Sequence, residues 1–145
     1  MAATSEKTTS EQAAGSATPA VRHLHILLAE DNRINQMLVR TMLQKGGHSV
    51  EIAENGRFAV AAVEAGDFDA VLMDMQMPEM DGAEATKAIR AMQSPKNQVP
   101  IIALTADAMA EQRDRYMEVG VNELVSKPID WQILSDALLY HAARQ

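Results

Sequence analysis

The run Leu24-His25-Ile26-Leu27-Leu28-Ala29 is followed at once by the acids Glu30 and Asp31, and then by a helical pattern from about Asn32 to Lys45. A short, nearly unbroken aliphatic run suits a strand covered on both faces. The pattern recurs along the chain. His48 to Ala53 alternates at period two before a helix over Asn55 to Glu64, and Asp69 to Met73 (DAVLM) is a third strand. Pro78 punctuates the next loop, and Asp81 suits the N-cap of a helix through Met92. Pro95 to Gln98 is loop, Val99 to Leu104 a fourth strand, and Asp107 to Val119 a helix closed by Gly120. Val121 to Val125 is the fifth strand, and Asp130 caps a last helix to about Ala142. Strands alternating with helices imply parallel βαβ units, hence an α/β, doubly wound, five-stranded parallel sheet.

In such sheets ligands gather at the carboxyl ends of the strands, where the strand order reverses. The first strand ends in Glu30-Asp31, the third in Asp74, the fourth in Thr105 and the fifth in Ser126-Lys127-Pro128. Carboxylates forced together repel unless a cation sits among them. An oxygen-only set without His or Cys suits Mg²⁺. An ammonium and a hydroxyl beside it suit an anion, so the group describes a site for a divalent metal and a phosphoryl group. Taken alone, Asp31 could be a helix N-cap and Lys127 a solvated loop charge. Their placement on one rim favours the joint reading.

Composition narrows the classes. Of 145 residues 47% are hydrophobic, enough for an aliphatic core, and the formal net charge of −7 disfavours nucleic acid as a partner. The chain has no cysteine, which excludes disulfides, thiol catalysis and thiolate-bound zinc. No apolar run approaches a membrane span and no signal pattern opens the chain, so membrane insertion is not expected and the cytoplasm is the expected location. Met1 to Arg22, rich in Ala, Thr and Ser, is expected to be a disordered tail or linker, leaving residues 23–145 as the domain.

From His25 to about His141 the chain resembles the receiver domain of two-component response regulators. The resemblance rests on Glu30-Asp31-Asn32, on Asp74-Met75-Gln76-Met77-Pro78-Glu79-Met80-Asp81-Gly82, on Leu104-Thr105-Ala106 and on Ser126-Lys127-Pro128-Ile129. Asn35-Gln36 and the phrase Asp-Met-Gln-Met-Pro are most like the receivers of hybrid histidine kinases. The resemblance implies a flavodoxin-like (βα)5 fold with strand order 2-1-3-4-5. It implies that Asp74 takes the phosphoryl group from a phosphohistidine, and that Asp31 and Asp74 bind Mg²⁺ directly. Glu30 would act largely through water, and the backbone carbonyl of Gln76 would be a further ligand. Lys127, after a cis Lys127-Pro128 bond, would pair with the phosphoryl oxygens. Thr105 would swing onto the phosphoryl group and shift the helix-four surface, with small Ala106 leaving the acceptor open. Gln76 and Asp107 would occupy positions that tune dephosphorylation. In many receivers an aromatic residue rotates with the threonine; here that position is Leu124.

The partners implied are a histidine kinase or a histidine phosphotransfer protein, with a monomer favoured. Such a domain is no turnover enzyme; it catalyses only its own phosphorylation and dephosphorylation. With no sequence for an output domain, the expectation is a stand-alone receiver or a segment of a hybrid kinase. Rival readings are a pseudo-receiver that binds partners without phosphorylation, a Mg²⁺-dependent phosphohydrolase of the haloacid dehalogenase kind, and a flavodoxin. The phosphohydrolase needs D-x-D after the first strand, where this chain has Glu-Asp-Asn. The flavodoxin needs a Thr/Ser-rich phosphate loop where the acids stand.

Four further expectations concern packing and docking. On the first helix, Asn35, Leu38, Val39, Met42 and Leu43 form the arc facing the sheet, while Ile34 and Met37 fall outside it and suit a docking patch. His23, His25, His48 and His141 have surface or strand-edge roles rather than metal ligation. Met73, Met75, Met77 and Met80 fill core and loop, with a Met-rich partner surface the alternative. Trp131 is a packing residue.

Overall fold

The computed structural model describes residues 23–106 and 109–142. The expected tail, Met1 to Arg22, and Asp107 lie outside them. Five strands alternate with five helices: β1 His25–Ala29, α1 Arg33–Lys45, β2 Ser49–Ala53, α2 Gly56–Ala65, β3 Ala70–Asp74, α3 Gly82–Arg90, β4 Ile101–Thr105, α4 Ala110–Val119, β5 Glu123–Ser126 and α5 Trp131–His141. A 3₁₀ turn, Lys96–Gln98, precedes β4. All strand pairs are parallel, in the order β2-β1-β3-β4-β5.

Helix starts follow local chemistry. Asn32, Asn55, Asp81 and Asp130 each accept the backbone N–H three residues on, and Asp81 closes a reciprocal capping box with Glu84. Because Asn32 caps α1, the carboxylate of Asp31 is released from that duty. Gly120 ends α4 at φ 115°, a conformation that penalises any side chain.

Helices cover both faces of the sheet, so β3 and β4 are buried at every position. One face packs Leu27, Val71, Met73, Ile101 and Ala103 against α2, α3 and Tyr116 of α4, with Leu124 in the same layer. The other packs Ile26, Leu28, Leu72, Ile102 and Leu104 against Val39 and Leu43 of α1 and Leu134 and Leu138 of α5. Full burial of each large aliphatic side chain contributes about 1.5–3 kcal/mol. The edge strand β2 alternates instead, with Ser49 and Glu51 outward.

The arc expected on α1 needs correction. Val39 and Leu43 are buried, but Leu38 is 50% exposed. The buried stripe centres between Val39 and Leu43, and at about 100° per residue Leu38 falls on its flank, farther from that centre than the half-buried Met42. Ile34 and Met37 are exposed, as expected. His48 is also a correction: it is buried, because its Nδ1 accepts the Leu24 N–H at 3.1 Å. Met73, Met75 and Met77 are buried, so these methionines are packing residues rather than a partner surface. Trp131 packs over Gly46, where a Cβ would lie 2.7 Å from the ring.

Arg90 ties the lower layers together. Its Nε donates to Gly120 O (2.9 Å), its Nη1 to Asn97 O and Val99 O (2.7 Å each), and its Nη2 to Asn122 Oδ1 (2.9 Å). Burial lowers its pKa from the ordinary value, and carbonyl oxygens rather than a carboxylate satisfy the guanidinium.

Candidate active site

Parallel register delivers the strand ends to one rim. Ala29 pairs with Met73, so Glu30 and Asp74 leave neighbouring strands at the same level. Asp74 pairs with Leu104, setting Thr105 one step beyond it, and Thr105 pairs with Ser126, setting Lys127 one step beyond that. Backbone bonds fix the rim: Glu30 N–H to Ala53 O, Met75 N–H to Leu104 O, and Lys127 N–H to Thr105 O, at 3.0, 3.1 and 2.9 Å.

Carboxylate oxygens of Glu30, Asp31 and Asp74 lie within 4.8 Å of one another. Glu30, Asp74 and Thr105 are buried, whereas Asp31 is open to solvent. Lys127 Nζ stands 3.3 Å from both Asp74 Oδ2 and Glu30 Oε1. The remaining oxygens are held by backbone: Asn32 N–H donates to Glu30 Oε2 at 3.1 Å, and Gln76 N–H to Asp74 Oδ1 at 3.0 Å. Burial pushes the Glu30 carboxyl above its ordinary pKa. The Asn32 N–H opposes that shift, the Asp74 charge adds to it, and the Lys127 ammonium opposes it.

The Lys127-Pro128 peptide is cis, as expected. Leu124 is buried in the sheet core at the position where many receivers carry an aromatic.

The donor set fits Mg²⁺. It is all oxygen, two members are buried and one open, and the open side leaves room for the waters this ion retains. The structure thus brings together Glu30, Asp31, Asp74, Thr105 and Lys127, with Gln76 following the acceptor. Ile34 and Met37 stand outside that cluster, exposed on α1.

Two positioning residues escaped the sequence reading. Gln36 Nε2 donates to Glu30 O at 2.7 Å, reaching six residues back across the strand–helix junction. Its only signal was its place beside Asn35 after the acids. Gly82 lets α3 start against the acceptor loop, since a Cβ there would meet Asp74 O at 2.5 Å and Met75 Cα at 2.8 Å. Its signal was a glycine directly after an N-cap.

The comparisons agree with this geometry. Residues 26–139 match the family model described as response regulator receiver domain. The sensor protein GacS of Pseudomonas syringae pv. syringae is 44% identical over 116 residues, covering 79% of this chain and 13% of that protein. A hybrid signal transduction histidine kinase of Dictyostelium discoideum is 39% identical over 119 residues, 78% of this chain and 7% of that protein. The chain therefore spans a small part of these relatives. Among solved structures, the receiver domain of a Pseudomonas aeruginosa sensor histidine kinase, with a magnesium ion coordinated in its active site cleft, superposes with TM-score 0.78. It is 38% identical, covering 84% of this chain and 99% of that one. A Saccharomyces cerevisiae response regulator receiver domain, solved in complex with a histidine phosphotransfer signaling protein, is 30% identical with TM-score 0.77, covering 85% and 91%. Fold order, strand-end acids and the matched span together place the chain in the family of response regulator receiver domains.

Proposed function

We propose that Asp74 accepts a phosphoryl group from a phosphohistidine donor, with Mg²⁺ held by Glu30, Asp31, Asp74 and the backbone carbonyl of Gln76. The observation that carries this reading is the buried Asp74 carboxylate beside two further acids, with Lys127 Nζ at 3.3 Å. In the transfer, an Asp74 carboxylate oxygen forms a bond to phosphorus as the phosphorus–nitrogen bond breaks. The departing imidazole keeps the electron pair and is protonated. Lys127 neutralises charge on the phosphoryl oxygens, and bound Mg²⁺ supplies the rest of that neutralisation. Thr105, at the neighbouring strand end, is placed to hydrogen-bond the new group and couple it to α4. Gln36 and the Asn32 N–H hold Glu30 in place.

Donors are histidine kinases or histidine phosphotransfer proteins, docking over Ile34 and Met37 of α1, which exposes both beside the acids. The domain modifies itself and turns over no free substrate. No described helix is long and apolar enough to cross a membrane.

Incubation with acetyl phosphate and Mg²⁺ should add one phosphate by intact mass, and Asp74→Asn should abolish it. Full labelling of Asp74→Asn would refute the assignment. Lys127→Ala should keep the fold and lose most labelling or its conformational consequence; an unchanged response would remove Lys127 from the site.

A further inference from the structure

The helix that leaves the acid cluster differs in charge from the rest of the chain. α1 carries Arg33, Arg40 and Lys45 and no Asp or Glu, although the sequence holds 20 acids against 13 Lys and Arg. Each of the other four helices contains at least one acid. Along the outer face of α1, Ile34, Met37 and Leu38 are 77%, 65% and 50% exposed. At about 100° per residue these three share one arc. Arg33 and Arg40, two turns apart, line up along one edge of it. Leu38 stands at the other edge, bordering a small cleft that Glu30, Lys127, Pro128 and Ile129 also line. The apolar strip therefore runs into the loop that carries Lys127, with a cationic border on its far side.

Among the described residues neither Arg33 nor Arg40 forms an ion pair. An unpaired basic edge beside exposed aliphatic side chains is complementary to one kind of surface. We propose that the protein docking on α1 presents an apolar groove bordered by carboxylates, which pair with Arg40 and Arg33 while Ile34, Met37 and Leu38 fill the groove. This rests on the phosphoryl-transfer reading above and names the chemistry of the donor protein. The physical need is plain. A chain of net charge −7 repels an acidic partner at long range, and the basic border supplies local attraction that orients the encounter. A partner with a basic rim would find repulsion along this border.

The test uses the purified histidine phosphotransfer proteins and kinases of the source organism, taking whichever phosphorylates the wild-type chain fastest as donor. Arg40 is the residue to change, because it stands two turns farther along α1 than Arg33 and so away from the acid cluster. Arg40→Glu should slow transfer at low salt about tenfold and flatten its salt dependence. Arg40→Gln should fall between. Both variants should label with acetyl phosphate like wild type, because the small donor needs no docking surface. Wild-type transfer rates and salt dependence in Arg40→Glu would overturn the proposal. Faster transfer would overturn it too, by showing a basic rim. So would a change in sedimentation without a change in transfer, which would make this edge a contact between copies of the chain. Failure of the phosphoryl-transfer reading is separate, and would show as a wild-type chain that neither donor class labels.

Discussion

Asp74→Asn should make the metal-free protein more stable while destroying its acceptor. The substitution keeps the side-chain shape and an oxygen for the Gln76 N–H, held at 3.0 Å, and removes one charge. With the carboxylate oxygens within 4.8 Å and an effective dielectric of about 20, each of the two repulsions on Asp74 is about 3.5 kcal/mol. The attraction to Lys127 at 3.3 Å is about 5 kcal/mol on the same footing. The difference is about 2 kcal/mol against the charged acceptor, and solvent screening of the exposed Asp31 reduces it to about 1 kcal/mol. For a domain of this size that corresponds to a rise of about 4 °C in Tm. Mg²⁺ should reverse the order. At ten times Kd it should stabilise the wild type by about 1.4 kcal/mol, and Asp74→Asn by clearly less. Urea titrations of both proteins, with EDTA and with Mg²⁺, measure the four stabilities. An Asp74→Asn protein less stable than wild type in EDTA would refute the net repulsion. Equal stabilisation of both by Mg²⁺ would refute the metal assignment.

Other perturbations probe the frame. His48 is buried with its pKa lowered by burial and by the neighbouring His23, against the opposing charge of Asp69. The unfolded chain therefore takes up the proton more readily. The stability held above the ordinary value of 6.5 should fall as pH drops below it, levelling once the folded imidazole also protonates. His48→Gln should flatten that slope in pH-dependent urea unfolding; an unchanged slope would assign it to another group. Arg90→Leu strips four acceptors of a charged donor and should cost about 2–3 kcal/mol in urea unfolding. Arg90→Lys should recover little, because an ammonium cannot span the fork. Gly82→Ala drives a Cβ into Asp74 O and Met75 Cα, so stability should fall by about 1–3 kcal/mol and Mg²⁺ affinity with it. Retained affinity, read by amide shifts during Mg²⁺ titration, would show that α3 can retreat without moving the acceptor.

Sequence alone determined the elements and the membership of the rim. Aliphatic runs alternating with helical patterns suit parallel strands covered on both faces, an arrangement that buries Ile26 to Ala29 and Ala70 to Met73. Boundaries shifted by a residue or two where caps intervened: Asn32 and Asn55 stand outside the helices they start, whereas Asp81 caps its helix as expected. What each strand delivers was also legible, since the residue after a parallel strand must emerge at the common edge.

Only the tertiary structure decided which side chains touch. Lys127 meets Glu30 from 97 positions away, a separation that no local pattern constrains. Leu38 has the hydrophobicity of a core residue, yet it lies on the flank of α1, where the sheet does not reach. His48 has the polarity of a surface residue, yet a single backbone N–H from Leu24 makes its burial tolerable. Gly82 and Gln36 hold the acids in place through backbone atoms of distant segments. Such contacts depend on strand register and on the angle at which helices meet the sheet. Those quantities are set by packing the whole core at once, and no single stretch of the chain records them.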